Sequence, residues 1–398
     1  MECKVSKKEI KPFMSFGKMP LANGFLEKKN FGKEFFFEME VGFSEELSLF
    51  QLNDHPQPEQ MFNKLYPFYT GSSESMKKHF KGYADWISKF LGSSPTKLIE
   101  IGSNDGTFLN NFKNTNTDFV GFEPSKNVAN RANKNQIITI DEFFCLDTIN
   151  LINNFKKKTD VICAANVICH IPDLTALITT IEELLNINGI FVFEEPYLGS
   201  MFEKTAYDQI YDEHIYMFSA TSVEKIFNKF DMNLVDIIPQ ITHGGSMRYV
   251  ISRKGKREIN KRVTEIIETE KKNNLDNISS CLSFKKNCEI SRKKLKSKIQ
   301  KIKESGKRIC GYAATSKSTT VLNYCEIDSK KIEFICDTTK EKIGKYSPGK
   351  HIPIVSVEHF RKNAPDVAFL FAWNHKLEIF EKEKEFTQKG QWISHVKI

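Results

Sequence analysis

Lys97-Leu98-Ile99-Glu100-Ile101-Gly102-Ser103-Asn104-Asp105-Gly106 reads as a buried strand running into a turn bracketed by glycines. Gly102 and Gly106 let the backbone turn sharply and come close to a ligand. A helix is expected from Thr107, its first amides aimed at a carboxylate or phosphate. A second strand over 119–122 ends in Glu123, where a carboxylate can accept both ribose hydroxyls of an adenosine. Nicotinamide dinucleotides and S-adenosylmethionine both use this arrangement. The turn lacks the G-x-G-x-x-G spacing that holds a pyrophosphate. Glu100 before it, with Asn104 and Asp105 inside it, suits a sulfonium and an amino group instead. These details favour S-adenosylmethionine.

Further strands are expected over 137–140, followed by Asp141 placed for the adenine amino group, over 160–166, ending in Asn166, and over 189–193. Two more, 234–238 and 248–252, flank a short Gly-Gly turn and would close the sheet as a hairpin, the ending of a class I methyltransferase. Short apolar runs alternating with amphipathic stretches are the βαβ signature of a parallel sheet. The fold class expected is α/β: a Rossmann-like methyltransferase domain flanked by a small amino-terminal domain and a carboxyl-terminal Rossmann-like domain. The chain divides into a Phe-rich segment 1–70, the methyltransferase domain 71–252, a basic helical connector 253–307 and a second α/β piece 308–398.

Composition narrows the class. At 398 residues, 40% hydrophobic and 27% charged, the chain has the balance of a globular protein. No apolar run reaches the roughly 18 residues a membrane span needs. No secretory signal is expected behind Met1-Glu2-Cys3-Lys4, and nine scattered cysteines without a CxxC pair fit reduced thiols in a cytoplasm. The net charge of +8 is local. Residues 253–308 hold 19 Lys or Arg against 7 Asp or Glu, a local +12, so the other 342 residues sum to −4. Charge on such helices is usually a solvated face. Only Phe284 could stack on a base there, so a nucleic-acid-binding protein is the lesser reading.

Several motifs carry a resemblance. They are Pro20-Leu21-Ala22-Asn23-Gly24-Phe25, Tyr69-Thr70-Gly71-Ser72-Ser73, the 100–106 turn, Asn166-Val167-Ile168-Cys169-His170 and Tyr211-Asp212-Glu213-His214. His243-Gly244-Gly245-Ser246-Met247-Arg248, Lys317, Asp337, Pro348-Gly349 and Trp373-Asn374 complete the set. Over nearly its whole length the chain resembles the three-domain sugar C-methyltransferases, which methylate a carbon of nucleotide-linked 4-keto-deoxyhexoses. That resemblance implies a nucleotide-sugar substrate, in deoxysugar or surface-polysaccharide biosynthesis, and leaves the oligomeric state open. It also implies a structural zinc on two CxxC pairs. Here the first pair reads Cys3-Lys4-Val5-Ser6, and Ser44 and Leu47 align with the second, so zinc is expected to be absent. In Tyr312-Ala313-Ala314-Thr315-Ser316-Lys317-Ser318, Ala313 and Ser318 stand where relatives have glycine, and the carrier nucleotide is not fixed.

Carbon methylation beside a ketone needs a base for the α-proton and donors for the enolate oxygen. His214 is the candidate base, with Glu213 to tune it and Tyr211 and Tyr69 as phenol donors. His170, at a strand's carboxyl end, is a second acid or base. Lys317 is expected to meet phosphate, and Arg248 and Asn374 to contact the substrate. Methylation of a sugar hydroxyl on the same architecture is the alternative chemistry.

Overall fold

The computed structural model describes residues 1–62 and 66–398. Three sheets organise them. The first holds β1 (Pro12–Pro20), β2 (Phe36–Ser44) and β3 (Leu49–Leu52). The second and largest holds β4 (Lys97–Ile101), β5 (Asp118–Phe122), β6 (Thr139–Ile140), β7 (Thr159–Ala165) and β8 (Leu185–Pro196). The short β9 (Tyr216–Met217) leaves it and pairs antiparallel with β3, completing the first sheet. A hairpin, β10 (Met232–Gln240) and β11 (Ser246–Arg253), then closes the large sheet. The third is all parallel: β12 (Ile309–Tyr312), β13 (Ile335–Asp337), β14 (Ile354–Ser356), β15 (Val367–Leu370) and β16 (Gln391–Ile393).

The large sheet runs in the order β6-β5-β4-β7-β8-β11-β10. Only β11 is antiparallel to its neighbours. Parallel strands covered on both faces read as continuous apolar runs, and β4, β7 and β8 do so because helices lie on each side. The helix Glu74–Leu91 buries Phe80, Tyr83, Ala84 and Ile87 at helical spacing, starts on a Ser73 cap and stops at Gly92 in the left-handed conformation. Leu174–Leu184 covers the opposite face from an Asp173 cap. The strand order reverses between β4 and β7, so the loops after them part and leave a crevice at their carboxyl ends. This is the class I methyltransferase sheet.

The helix expected from Thr107 does not form. A single 3-10 turn, Leu109–Phe112, occupies the stretch, where Asn110, Asn111, Asn114, Thr115 and Asn116 are weak helix formers. No helix terminus therefore crowns the 102–106 turn. The basic segment forms the helices Lys261–Lys272 and Ile278–Glu304. The second buries Cys281, Phe284, Cys288, Leu295 and Ile299 in a core shared with the first and third sheets, and its lysines face outward. No helix among the described residues is long and apolar enough to cross a membrane.

Candidate active site

The parted loops open into a cavity of about 1170 Å³ that also takes in residues following strands of the first and third sheets. At one end lies the β4 turn. Gly102, at φ +66°, passes so close to the β7 loop that an added Cβ would sit 2.3 Å from Val167 Cγ2. Asn104 also adopts positive φ, and its Oδ1 accepts the Thr70 amide at 2.8 Å. Asp105 takes the Gly71 amide at 3.0 Å and the Thr107 hydroxyl at 2.6 Å. Asp105 and Gly106 thus shape the turn from behind and do not line the cavity. Glu123 lines it and braces it, accepting the Asn104 amide at 3.1 Å and the Ser125 amide at 2.9 Å.

Glu100, like Ser103, has a side-chain oxygen in this cradle that lacks a partner among the described residues, and it is the acidic one of the two. It is buried at the cavity wall, and its Oε2 accepts no hydrogen bond from any described residue. Burial, with Asp105 and Glu123 nearby, pushes its carboxyl well above the usual range. A cationic ligand group would supply what burial withholds, so the residues present fit S-adenosylmethionine. Asn166 adds a further buried, unpartnered oxygen, Oδ1, from positive φ after β7. Asp141 does not join them: half exposed, it pairs with Lys126 at 3.5 Å on the surface, because β6 is only two residues long and ends short of the crevice. The cavity wall below β6 is Phe143, Phe144 and Cys145 instead.

The middle of the cavity holds stacked rings. His170 lies between Phe62 and His214, with centroid distances of 5.5 and 5.4 Å and planes 21° apart in both pairs. Tyr211 follows at 4.0 Å from His214. His214 Nδ1 contacts the Gln209 carbonyl at 2.7 Å, and a carbonyl only accepts, so Nδ1 carries the proton. Nε2 is then the acceptor for the Tyr211 hydroxyl at 2.6 Å. Burial, then the His170 ring, holds His214 well below its ordinary value, and burial takes His170 down to about 3, so both rings are neutral. Glu195 accepts the amides of Val167, Ile168 and Cys169 at 2.6–3.2 Å and so fixes the turn that presents His170.

Two sequence-derived roles change here. The Tyr211 phenol donates to His214, three residues on, and not into open cavity. Tyr69 is turned away: its hydroxyl accepts from Asn127 at 2.8 Å, Arg131 lies over its ring, and it does not line the cavity. Tyr66, which sequence reasoning passed over, lines it and donates to Glu213 at 3.3 Å. The second Glu213 oxygen accepts from Asn23 at 2.6 Å. Burial pushes the Glu213 carboxyl up to about 7, against the Asn23 and Tyr66 hydrogen bonds and the Lys342 charge.

Arg248 is also corrected. Its guanidinium is spent on Glu194, at 2.5 and 2.7 Å, and packs over Tyr83 and Trp86, while His79 takes the other Glu194 oxygen at 2.6 Å. It is a wall of the cavity, not a free cation. Lys317 is the opposite case. Its ammonium is buried near Trp373 and has no hydrogen-bond partner among the described residues. Burial lowers its pKa, against the Asp208 charge. Asn374 and His375 line the same end. Nothing in the sequence signals Gln209, His79 or Glu194, whose partnerships are made by tertiary contact.

Three family models match consecutive parts of the chain: “Putative zinc binding domain” over residues 3–62, “Methyltransferase domain” over 76–237 and “C-methyltransferase C-terminal domain” over 241–396. The chain is 28% identical over 380 residues to the C-methyltransferase NovU of Streptomyces niveus, across 95% of this chain and 90% of that one. Among solved structures it is similar to the plantazolicin methyltransferase BpumL in complex with SAH, at 15% identity and TM-score 0.35, covering 44% of this chain and 82% of that one. Magnesium protoporphyrin IX methyltransferase from Synechocystis PCC 6803, with bound SAM, matches at 12% identity and TM-score 0.35, covering 45% and 79%.

Cys3, Ser6, Ser44 and Leu47 stand at the positions that the resemblance assigns to zinc ligands. Ser6 donates its amide to Cys3 Sγ at 3.4 Å and Leu47 to Ser44 Oγ at 3.5 Å, so each pair closes a turn. The donor set is one thiol, two hydroxyls and an alkyl group, which does not fit a structural zinc site. Cys3 and Leu47 are packed in the apolar core with Ile10 and Leu49, and Phe37, Phe43 and Phe50 are buried in the neighbouring one. The three matched parts follow one another along the chain and all contribute residues to one cavity. Over nearly its whole length the chain thus resembles a C-methyltransferase, with a methyltransferase domain between the two other matched parts.

Proposed function

We propose that the carbon methylated belongs to a nucleotide-linked keto-deoxysugar, and that the reaction proceeds through its enolate. The observation that carries this reading is a neutral, tautomer-fixed imidazole and a carboxyl near neutrality in the same cavity as an unpartnered buried ammonium. A base, a carboxylate to favour its protonated form and an anion site are what an enolisable sugar on a diphosphate carrier requires.

The chain's residues divide the work as follows. The α-C–H bond breaks and its electron pair delocalises onto the carbonyl oxygen as the enolate. The proton passes to the Tyr211 oxygen as Tyr211 gives its own to His214 Nε2, leaving an imidazolium that keeps its Nδ1–H bond to Gln209. Ionised Glu213 favours that imidazolium electrostatically, and His170 serves the enolate oxygen. S-adenosylmethionine, when bound, supplies an electrophilic methyl group on a sulfonium. Glu100, Asn166 and Glu123 hold that ligand in place, and Lys317 and Asn374 hold the carrier.

The remaining assignments belong to the same proposal. The boundaries 70, 252 and 307 separate an amino-terminal piece, a methyltransferase domain, a solvated basic connector and a sugar-nucleotide domain. The enzyme acts in the cytoplasm, in deoxysugar or surface-polysaccharide synthesis, without nucleic acid or membrane. It carries no zinc, and one equivalent of zinc in purified protein overturns that. The test of the reaction is deuterium wash-in from solvent at the carbon beside the ketone, with the methyl donor omitted and a panel of nucleotide sugars supplied. His214→Ala should lower that exchange by at least the roughly 10²-fold typical of a lost general base. Methyl transfer to a sugar with no exchange in the parent enzyme would overturn the enolate.

A further inference from the structure

The loop after β1 enters the active-site cavity, although its strand belongs to a different sheet. Leu21 to Phe25 turn tightly, with the Gly24 amide on the Leu21 carbonyl at 3.0 Å and the Phe25 amide on that of Asn23 at 2.9 Å. The turn is gripped from both sides. The Ala22 amide donates to Asp212 at 2.9 Å, and the Ala22 carbonyl accepts from Thr319 at 2.8 Å. Between these grips, the Asn23 amide nitrogen donates to Glu213 Oε1 at 2.6 Å, and its oxygen accepts from Ser316 Oγ at 3.1 Å. Ser316 opens the helix Ser316–Tyr324 and is followed by Lys317.

We infer that Asn23 is a positioning residue, which fixes the Glu213 carboxylate in its ionised form and ties it to the helix start that meets the carrier. A side-chain amide suits both ends, because its N–H₂ can only donate, to a carboxylate, while its oxygen takes the serine hydroxyl. The bond to Glu213 is short, as charge-assisted bonds are. The groups facing Glu213 are few. They are Tyr66, Lys342, the adjoining Asp212 and His214, and the Tyr211 and Cys169 side chains. Lys342 is itself held by the Ala314 carbonyl at 2.8 Å. Of the hydrogen bonds that Asn23 and Tyr66 give the Glu213 carboxyl, that of Asn23 is the shorter. A ligand drawing Ser316 toward its phosphate would therefore be felt at the carboxyl through one side chain. The inference rests on the reading that Glu213 acts ionised in this cavity.

The test titrates Glu213 in ligand-free full-length protein carrying ¹³C-carboxyl glutamate, its resonance assigned by loss in Glu213→Gln. Asn23→Ala should raise the midpoint so that the proton is held about tenfold more tightly. Ser316→Ala, which removes only the far end of the bridge, should shift it in the same direction by less, and it carries the test if the Asn23 variant fails to fold. A parental midpoint in both variants overturns the inference. This readout needs no substrate, so it stands apart from failure of the sugar reading. Once a substrate is in hand, the acidic limb of kcat/KM should move with the titration. A raised KM with an unmoved limb would make Asn23 a carrier contact and sink the positioning role.

Discussion

Lys317→Met should weaken carrier binding and stabilise the free protein at once. The two signs come from one feature. An ammonium buried without a hydrogen bond costs free energy in the unliganded state, and the Asp208 charge recovers only part of it, since Asp208 already accepts from Trp373 at 2.7 Å and pairs with His395 at 3.0 Å. Methionine has nearly the same length and no charge to bury, so the free protein should gain about 1 kcal/mol, the low end for replacing buried ionic groups by apolar ones. The missing phosphate contact removes a hydrogen bond to a charged group, about 1.5–3 kcal/mol, which is about tenfold to 150-fold in affinity. Differential scanning fluorimetry reads the first effect as a rise of about 1 °C, as about 2.1 cal/mol/K of unfolding entropy per residue gives for 398 residues. Calorimetric titration with nucleoside diphosphates reads the second. A variant that binds them as tightly as the parent, or that melts lower, would refute the assignment of Lys317 to the carrier.

Three further outcomes are expected. Glu123→Ala should weaken S-adenosylmethionine by about 1.5–3 kcal/mol, because it loses the brace on the Asn104 amide along with the ribose contact, and unchanged calorimetric affinity would remove Glu123 from that site. Ala313 sits at φ +70°, so Ala313→Gly should relieve about 1 kcal/mol of left-handed strain, read as a higher melting temperature. With Glu213 raised to about 7 by burial, its ionised fraction grows as pH rises, so kcat/KM should climb between about pH 6 and 8 in the parent and lose that limb in Glu213→Gln. The same raised value means that the proton on Glu213 favours the folded state. That contribution is full below the unfolded value near 4.5 and is lost as pH rises through about 7.

The central sheet was legible because parallel strands announce themselves as apolar runs, and the 97–101 reading matches β4 residue for residue. The helix from Thr107 was misread because an anticipated motif outweighed a run of asparagines. In the site, the Tyr211 and His214 pair was visible from their spacing, but which way the phenol pointed was not, since Gln209 sets it through a backbone carbonyl that has no sequence signature. Arg248 reads as a substrate contact in the sequence because its partner, Glu194, lies 54 residues away on a neighbouring strand. Tyr69 and Tyr66 are three residues apart and chemically alike, so only the fold distinguishes them.

The pairing of β9 with β3 bears on whether this protein is modular. Tyr216 and Met217 belong by chain position to the methyltransferase half, yet they supply the outer edge of the first sheet. Excising residues 1–62 would strip the partner from that edge and expose the apolar face of β9. Expressing them alone would leave β3 as an unprotected sheet edge, the kind that recruits other chains. Swapping this head between relatives to change substrate preference would therefore fail unless the 211–217 segment travels with it, so the unit of exchange is discontinuous in sequence.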